Sequence, residues 1–150
     1  MIADPKDALA LLAARLREGE TPISPHVVDP GEERPVFGLL AALGSRSAET
    51  PGEYAFVVEA VREGYLLHYG EPRLLRGHDG DLALLAGDYL YALGIERLAS
   101  LDDAPAIAIL ADLIAGCARL HAEGREDEAP ALWRSAAVRI GGGDERAPSQ

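Results

Sequence analysis

This 150-residue chain has one cysteine, one lysine, one methionine and one tryptophan, and aromatic side chains make up 5% of it. The single thiol, Cys117, has no partner for an intramolecular disulfide, which points to a reducing compartment. The near absence of lysine leaves arginine as almost the entire positive charge, and the formal net charge is −11. A surface of that sign does not neutralise phosphates, so nucleic acid is excluded as a partner. The first residues, Met1-Ile2-Ala3-Asp4-Pro5-Lys6-Asp7, carry acids where a secretory signal needs a basic and then an apolar stretch. No run approaches the roughly 18 uninterrupted apolar residues of a membrane span. Asp88 and Asp112 interrupt the two most apolar stretches. The expected location is cytoplasmic, with no membrane span.

Hydrophobic residues nonetheless make up 48% of the chain, enough for one folded domain with a real core. With so few aromatics, Leu, Ala, Val and Ile must build it. The apolar spacing is helical throughout, no period-two run is long enough for a sheet, and no internal repeat is visible. The expected fold is therefore an all-α bundle of five to six helices over residues 1–140, followed by a disordered tail, 141–150.

The helix boundaries follow from punctuation. Asp4 with Pro5 starts a first helix that Gly19 ends, and four prolines in 20–35 make an extended connector. A short helix runs from Pro35 to Leu43. Thr50-Pro51-Gly52-Glu53 has the form of a capping box and opens a helix to about Tyr69. Asp79 or Gly80 starts a helix to about Leu101, Asp103-Ala104-Pro105 starts another that ends at Gly124, and a last one spans about Asp127 to Ile140. The 80–101 and 103–123 helices are apolar around most of their circumference. Such helices sit at the centre of a bundle or against a second subunit. The expected interface uses Leu84, Tyr91, Ile95, Ile107, Leu110 and Ile114, in a homodimer or with another protein.

The segment Leu84-Leu85-Ala86-Gly87-Asp88, preceded by Glu59, Glu63, Leu66-Leu67-His68, Arg73 and Arg76 and followed by Ala99-Ser100-Leu101-Asp102-Asp103, resembles the polyprenyl (trans-isoprenyl) diphosphate synthases over residues 51–123. The resemblance implies an isoprenoid-synthase-like helical fold, reduced in size. Where that family carries its metal-binding aspartates, this chain has Tyr69-Gly70 after His68. The pattern is most similar to the non-catalytic small subunit, component one, of heptaprenyl diphosphate synthase. That implies a partner subunit rather than an independent catalyst, with no cofactor. The alternative is a small isoprenoid-diphosphate-binding protein or enzyme. There Arg73, Arg76, Asp79 and Asp81 would face a diphosphate with its magnesium ion, Asp88 would join the ligand-binding set, and an apolar tunnel would lie behind.

Other groupings carry less chemistry. Asp88, inside an apolar helix, is expected to be buried and paired with Arg73, Arg76, Arg119 or a helix end, because an unpaired buried carboxylate costs several kcal/mol or more. Gly87 beside it, and Gly116 in the next helix, are expected to admit close helix approach. Glu59, Glu63 and His68 lack the pair of Glu-x-x-His helices that a di-iron bundle needs. Cys117 and His121 share a helical face but offer two ligands where zinc wants about four. Asp102 and Asp103 read as helix caps, and Tyr65, Tyr69, Tyr89 and Tyr91 as packing residues. No catalytic residue and no metal ligand is assigned.

Overall fold

The computed structural model describes residue 2 and residues 4–143. Among them are six α-helices and no named strand, an all-α helical bundle: α1 (Ala8–Arg17), α2 (Val36–Ala42), α3 (Pro51–Tyr69), α4 (Gly80–Ser100), α5 (Ala104–Ala122) and α6 (Ala129–Ile140). A 3₁₀ turn, Pro5–Asp7, leads into α1 with the Asp4 carboxylate accepting the Lys6 N–H. The proline-rich connector is pinned by an isolated bridge between Val27 and Leu75. The expected tail falls partly outside the described residues. Its first part, Gly141, is buried, and its carbonyl accepts the Arg46 N–H at 3.0 Å, so chain order continues past residue 140.

Helix α3 is the axis of the molecule, and every residue from Gly52 to Val61 is buried. It packs on α1, α2 and α4, while α5 and α6 pair with each other and α6 also meets α2. Two apolar clusters result. One joins α3 with α5 and α6 around Trp133, Leu110 and Ile140. The other joins α3 with α1 and α4 around Phe56, Leu12 and Leu90.

Glycine sets the α3–α4 spacing. A Cβ at Gly64 would lie 2.8 Å from the Gly87 carbonyl oxygen, and one at Gly87 would lie 2.3 Å from the His68 ring. Mid-helix glycine costs roughly 1 kcal/mol in propensity, and close backbone approach is what it permits here. Gly116 does no such work: its Cβ would meet only the Leu132 side chain, at 3.3 Å.

The capping box does not form. Thr50 makes no side-chain cap bond, and Glu53 is drawn inward. Its carboxylate accepts the Ile2 N–H and an Arg97 N–H, both at 2.8 Å. Asp79 does cap α4, accepting the Leu82 N–H, and Asp103 caps α5, accepting the Ala106 N–H. Asp103 also receives Arg46 at 2.6 Å and the Tyr54 hydroxyl. Asp102 takes positive φ (57°) in the α4–α5 turn, a conformation that aspartate tolerates better than most residues.

Candidate functional site: an arginine cleft and an uncovered helix face

Glu59 and Glu63 lie one turn apart on α3 and are both fully buried. An uncompensated carboxylate there would be very costly, and each is fully partnered. Arg73, in the loop after α3, donates Nη1–H to Glu59 at 2.6 Å and Nε–H to Glu63 at 2.9 Å. Glu63 also accepts the backbone N–H groups of Arg73 and Leu74, at 2.7 and 2.9 Å. Glu59 accepts the Gly38 N–H at 2.8 Å. Gly38 is in the first turn of α2, where helical N–H groups lack a partner. Glu59 therefore caps α2 from a different helix.

Burial pushes the Glu59 carboxyl upward against the pull of Arg73 and the Gly38 N–H. Burial works against the Arg73 charge as well, but Glu59 and Glu63 outweigh it and raise the guanidinium.

Arg73 opens on its other side to a cleft of about 410 Å³ whose lining includes Arg34, Arg62 and Arg76. Arg62 has no carboxylate within ion-pairing distance among the described residues. Its guanidinium lies 4.9–5.2 Å from the ring centres of Phe37, Trp133 and Tyr65. Burial, then repulsion from Arg73, lowers its pKa. Arg76 is folded back so that Nη1 donates to the Pro72 and Leu75 carbonyls. Arg73 Nη2 is buried without a hydrogen-bond partner. Four guanidinium groups thus surround one cleft of an acidic protein, with Glu33, Glu59 and Glu71 among the lining carboxylates. Sequence reasoning found Arg73 and Arg76 and missed Arg34 and Arg62. The available signal was Arg62 as the one arginine of a helix that carries three glutamates among apolar residues.

The expected diphosphate–magnesium set is not gathered there. Asp79 caps α4 and Asp81 is exposed, and neither lines the cleft. Asp88 is a correction. Its side chain is 75% exposed, and its one ion-pair contact among the described residues is His68 Nε2 at 3.4 Å. The reason is that α4 buries only one side, through Ala86, Gly87, Leu90, Leu93, Gly94 and Leu98, and Asp88 falls off that line. His121 accepts or donates a 2.7 Å hydrogen bond with the Tyr65 hydroxyl and stacks on Tyr69, while Cys117 stays buried with its thiol pushed up by desolvation.

The expected interface set also divides. Leu110 is fully buried in the chain's own core, so it cannot serve as an interface residue. Its side of α5 faces α3 and α6 rather than solvent. Tyr91, Ile95, Ile107 and Ile114 are half-buried against the same core, and Leu84 is 56% exposed. What α5 turns outward is alanine: Ala104, Ala108, Ala111, Ala115, Ala118 and Ala122 are all exposed. Among the described residues α5 is the one helix long and apolar enough, by length and composition, to cross a membrane, yet 33% of that apolar window is buried.

No family model, curated protein or solved structure matches this chain.

Proposed function

We propose that this chain is a non-catalytic helical interaction protein, a partner subunit of the kind its resemblance to the small subunits of polyprenyl synthases implies. The observation that carries the reading is α5, the most apolar helix, which buries a third of its apolar window and turns a side lined by alanines to solvent. A side made mainly of small apolar residues on the most apolar helix suits contact with another chain. The buried carboxylates support the non-catalytic part. Glu53, Glu59, Glu63 and Asp103 are all occupied by guanidinium or N–H donors, which leaves none of them poised for proton transfer.

Thiol labelling inside cells that make the chain tests the reading without naming a partner. An Ala115→Cys variant is expected to resist a membrane-permeable maleimide, while Ala10→Cys, on the exposed side of α1, reacts. Equal labelling at the two positions overturns it.

A second reading, binding of an isoprenoid diphosphate, is favoured by the four arginines around one cleft. Arginine is well suited to oxyanions, and Phe37, Val36 and Leu66 supply an apolar wall. Titration calorimetry with inorganic pyrophosphate, with and without magnesium, is expected to give heat that Arg62→Leu removes. No heat from the parent protein retires this reading.

A further inference from the structure

We infer that the partner covering α5 is a second copy of this chain, with the two α5 helices packed antiparallel about a two-fold axis near Ala115; this rests on the interaction reading above. The exposed alanines Ala104, Ala108, Ala111, Ala115, Ala118 and Ala122 alternate in steps of four and three. That is the seam spacing of a paired helix, and alanine lets two backbones approach closely. A helix of this length offers about 28 Å of seam.

Charge chooses the occupant and the direction. Asp112 and Arg119 are both exposed, neither is ion-paired among the described residues, and both line the edge of α5 that faces α6. They are two turns apart and symmetric about the Ala115–Gly116 bond. An antiparallel copy therefore sets Asp112 of each chain against Arg119 of the other, and the same patch serves on both sides, as a two-fold interface requires. A parallel copy brings the edge of Ile107, Ile114 and His121 opposite these charges and leaves them unmatched. Opposed helix dipoles favour the antiparallel arrangement too. A lipid surface fits less well, because Asp112 and Arg119 would enter it and the chain's net charge of −11 is repelled by anionic headgroups.

Sedimentation equilibrium on the full chain tests this, with circular dichroism confirming that each variant is folded. The parent protein is expected at twice 15.9 kDa. Asp112→Arg and Arg119→Asp, each replacing two attractions by two repulsions, should weaken association on the order of tenfold. Asp112→Arg combined with Arg119→Asp should restore it to within about threefold of the parent. A dimer indifferent to both single reversals overturns the antiparallel pairing. A parent protein that stays monomeric also overturns it, and flotation of that monomer with phosphatidylcholine vesicles would assign the face to lipid. Protection of position 115 in cells together with a monomeric purified chain leaves the interaction reading standing and removes self-pairing alone.

Discussion

Replacing Arg73 by leucine takes away the one cation that both Glu59 and Glu63 reach within ion-pairing distance among the described residues. Two charge-assisted hydrogen bonds disappear, each worth about 1.5–3 kcal/mol. Breaking a buried pair by removing one partner costs about 3–5 kcal/mol. The carboxylates keep the Gly38, residue 73 and Leu74 N–H donors, which holds the loss toward the lower half of these ranges. About 3–4 kcal/mol is therefore expected, a large share of the roughly 5–15 kcal/mol that holds a domain together. At about 2–4 °C per kcal/mol for a chain of this size, Tm should fall by about 6–16 °C. Urea unfolding followed by circular dichroism at pH 7 and pH 5 gives the measurement. The pH arm supplies the sign. Burial already raises the Glu59 carboxyl, and without the guanidinium that opposes it the carboxyl rises further above its unfolded value of about 4.3. A raised folded-state pKa gives stability that is present below the unfolded value and lost as pH rises through the folded one. The deficit of Arg73→Leu should accordingly shrink on acidification. A loss below about 1 kcal/mol, or a deficit that is the same at both pH values, would refute the reasoning.

Tyr54, buried and donating to Asp103, is pushed up to about 12, by burial first and by Asp103 second. Its stabilising effect is complete below pH 10 and drains away between pH 10 and about 12, by up to about 2–3 kcal/mol, so urea stability should fall over that window and fall less steeply in Tyr54→Phe. Gly64→Ala gains about 1 kcal/mol of helix propensity but drives a methyl onto the Gly87 carbonyl, where overpacking costs about 1–3 kcal/mol. Differential scanning calorimetry should show a lower Tm, and a higher one would mean that α3 and α4 separate easily. Asp88→Leu, at a solvent-exposed position, should stay within about 0.5 kcal/mol of the parent, and a drop above about 1 kcal/mol in chemical denaturation would restore the buried-pair view of that residue.

The helices were legible because their signals are local. Prolines at the first turn, aspartate caps and glycine stops placed α1 to α6 within a few residues of where they form, and the spacing of Ala86, Leu90, Leu93 and Leu98 marks the buried line of α4. The polar interior was not legible, because its partners are remote in sequence. Glu59 meets Gly38 across 21 positions, and Glu53 meets Arg97 across 44. No local pattern distinguishes these carboxylates from solvated ones. Asp88 shows the opposite error. An acid amid apolar neighbours implies burial only when the whole helix is buried, and α4 turns that side to solvent. For α5 the apolar composition was plain, yet composition does not tell which face a bundle will cover. Leu110 went inward and the alanines stayed out.

The three glutamates of α3 explain how a chain this poor in aromatics holds a single arrangement. A helix buried nearly all round by apolar side chains is not held in register by non-directional apolar contact alone. Glu53, Glu59 and Glu63 remove that freedom, because each accepts a backbone N–H from a different segment: Ile2 at the N-terminus, Gly38 in α2, and Arg73 with Leu74 after α3. Turning α3 by one residue would strand all three carboxylates without donors at once, in a low-dielectric interior where each orphan costs several kcal/mol. The arginines of an otherwise acidic chain fit the same logic. Arg97 and Arg73 neutralise these carboxylates with multi-donor groups that stay charged when buried, as the more easily deprotonated lysine would not. Once those pairs are made, Arg34 and Arg62 remain beside the cleft without carboxylate partners among the described residues. The polar scaffold that fixes α3 therefore leaves the Arg34 and Arg62 guanidinium groups lining the cleft beside it.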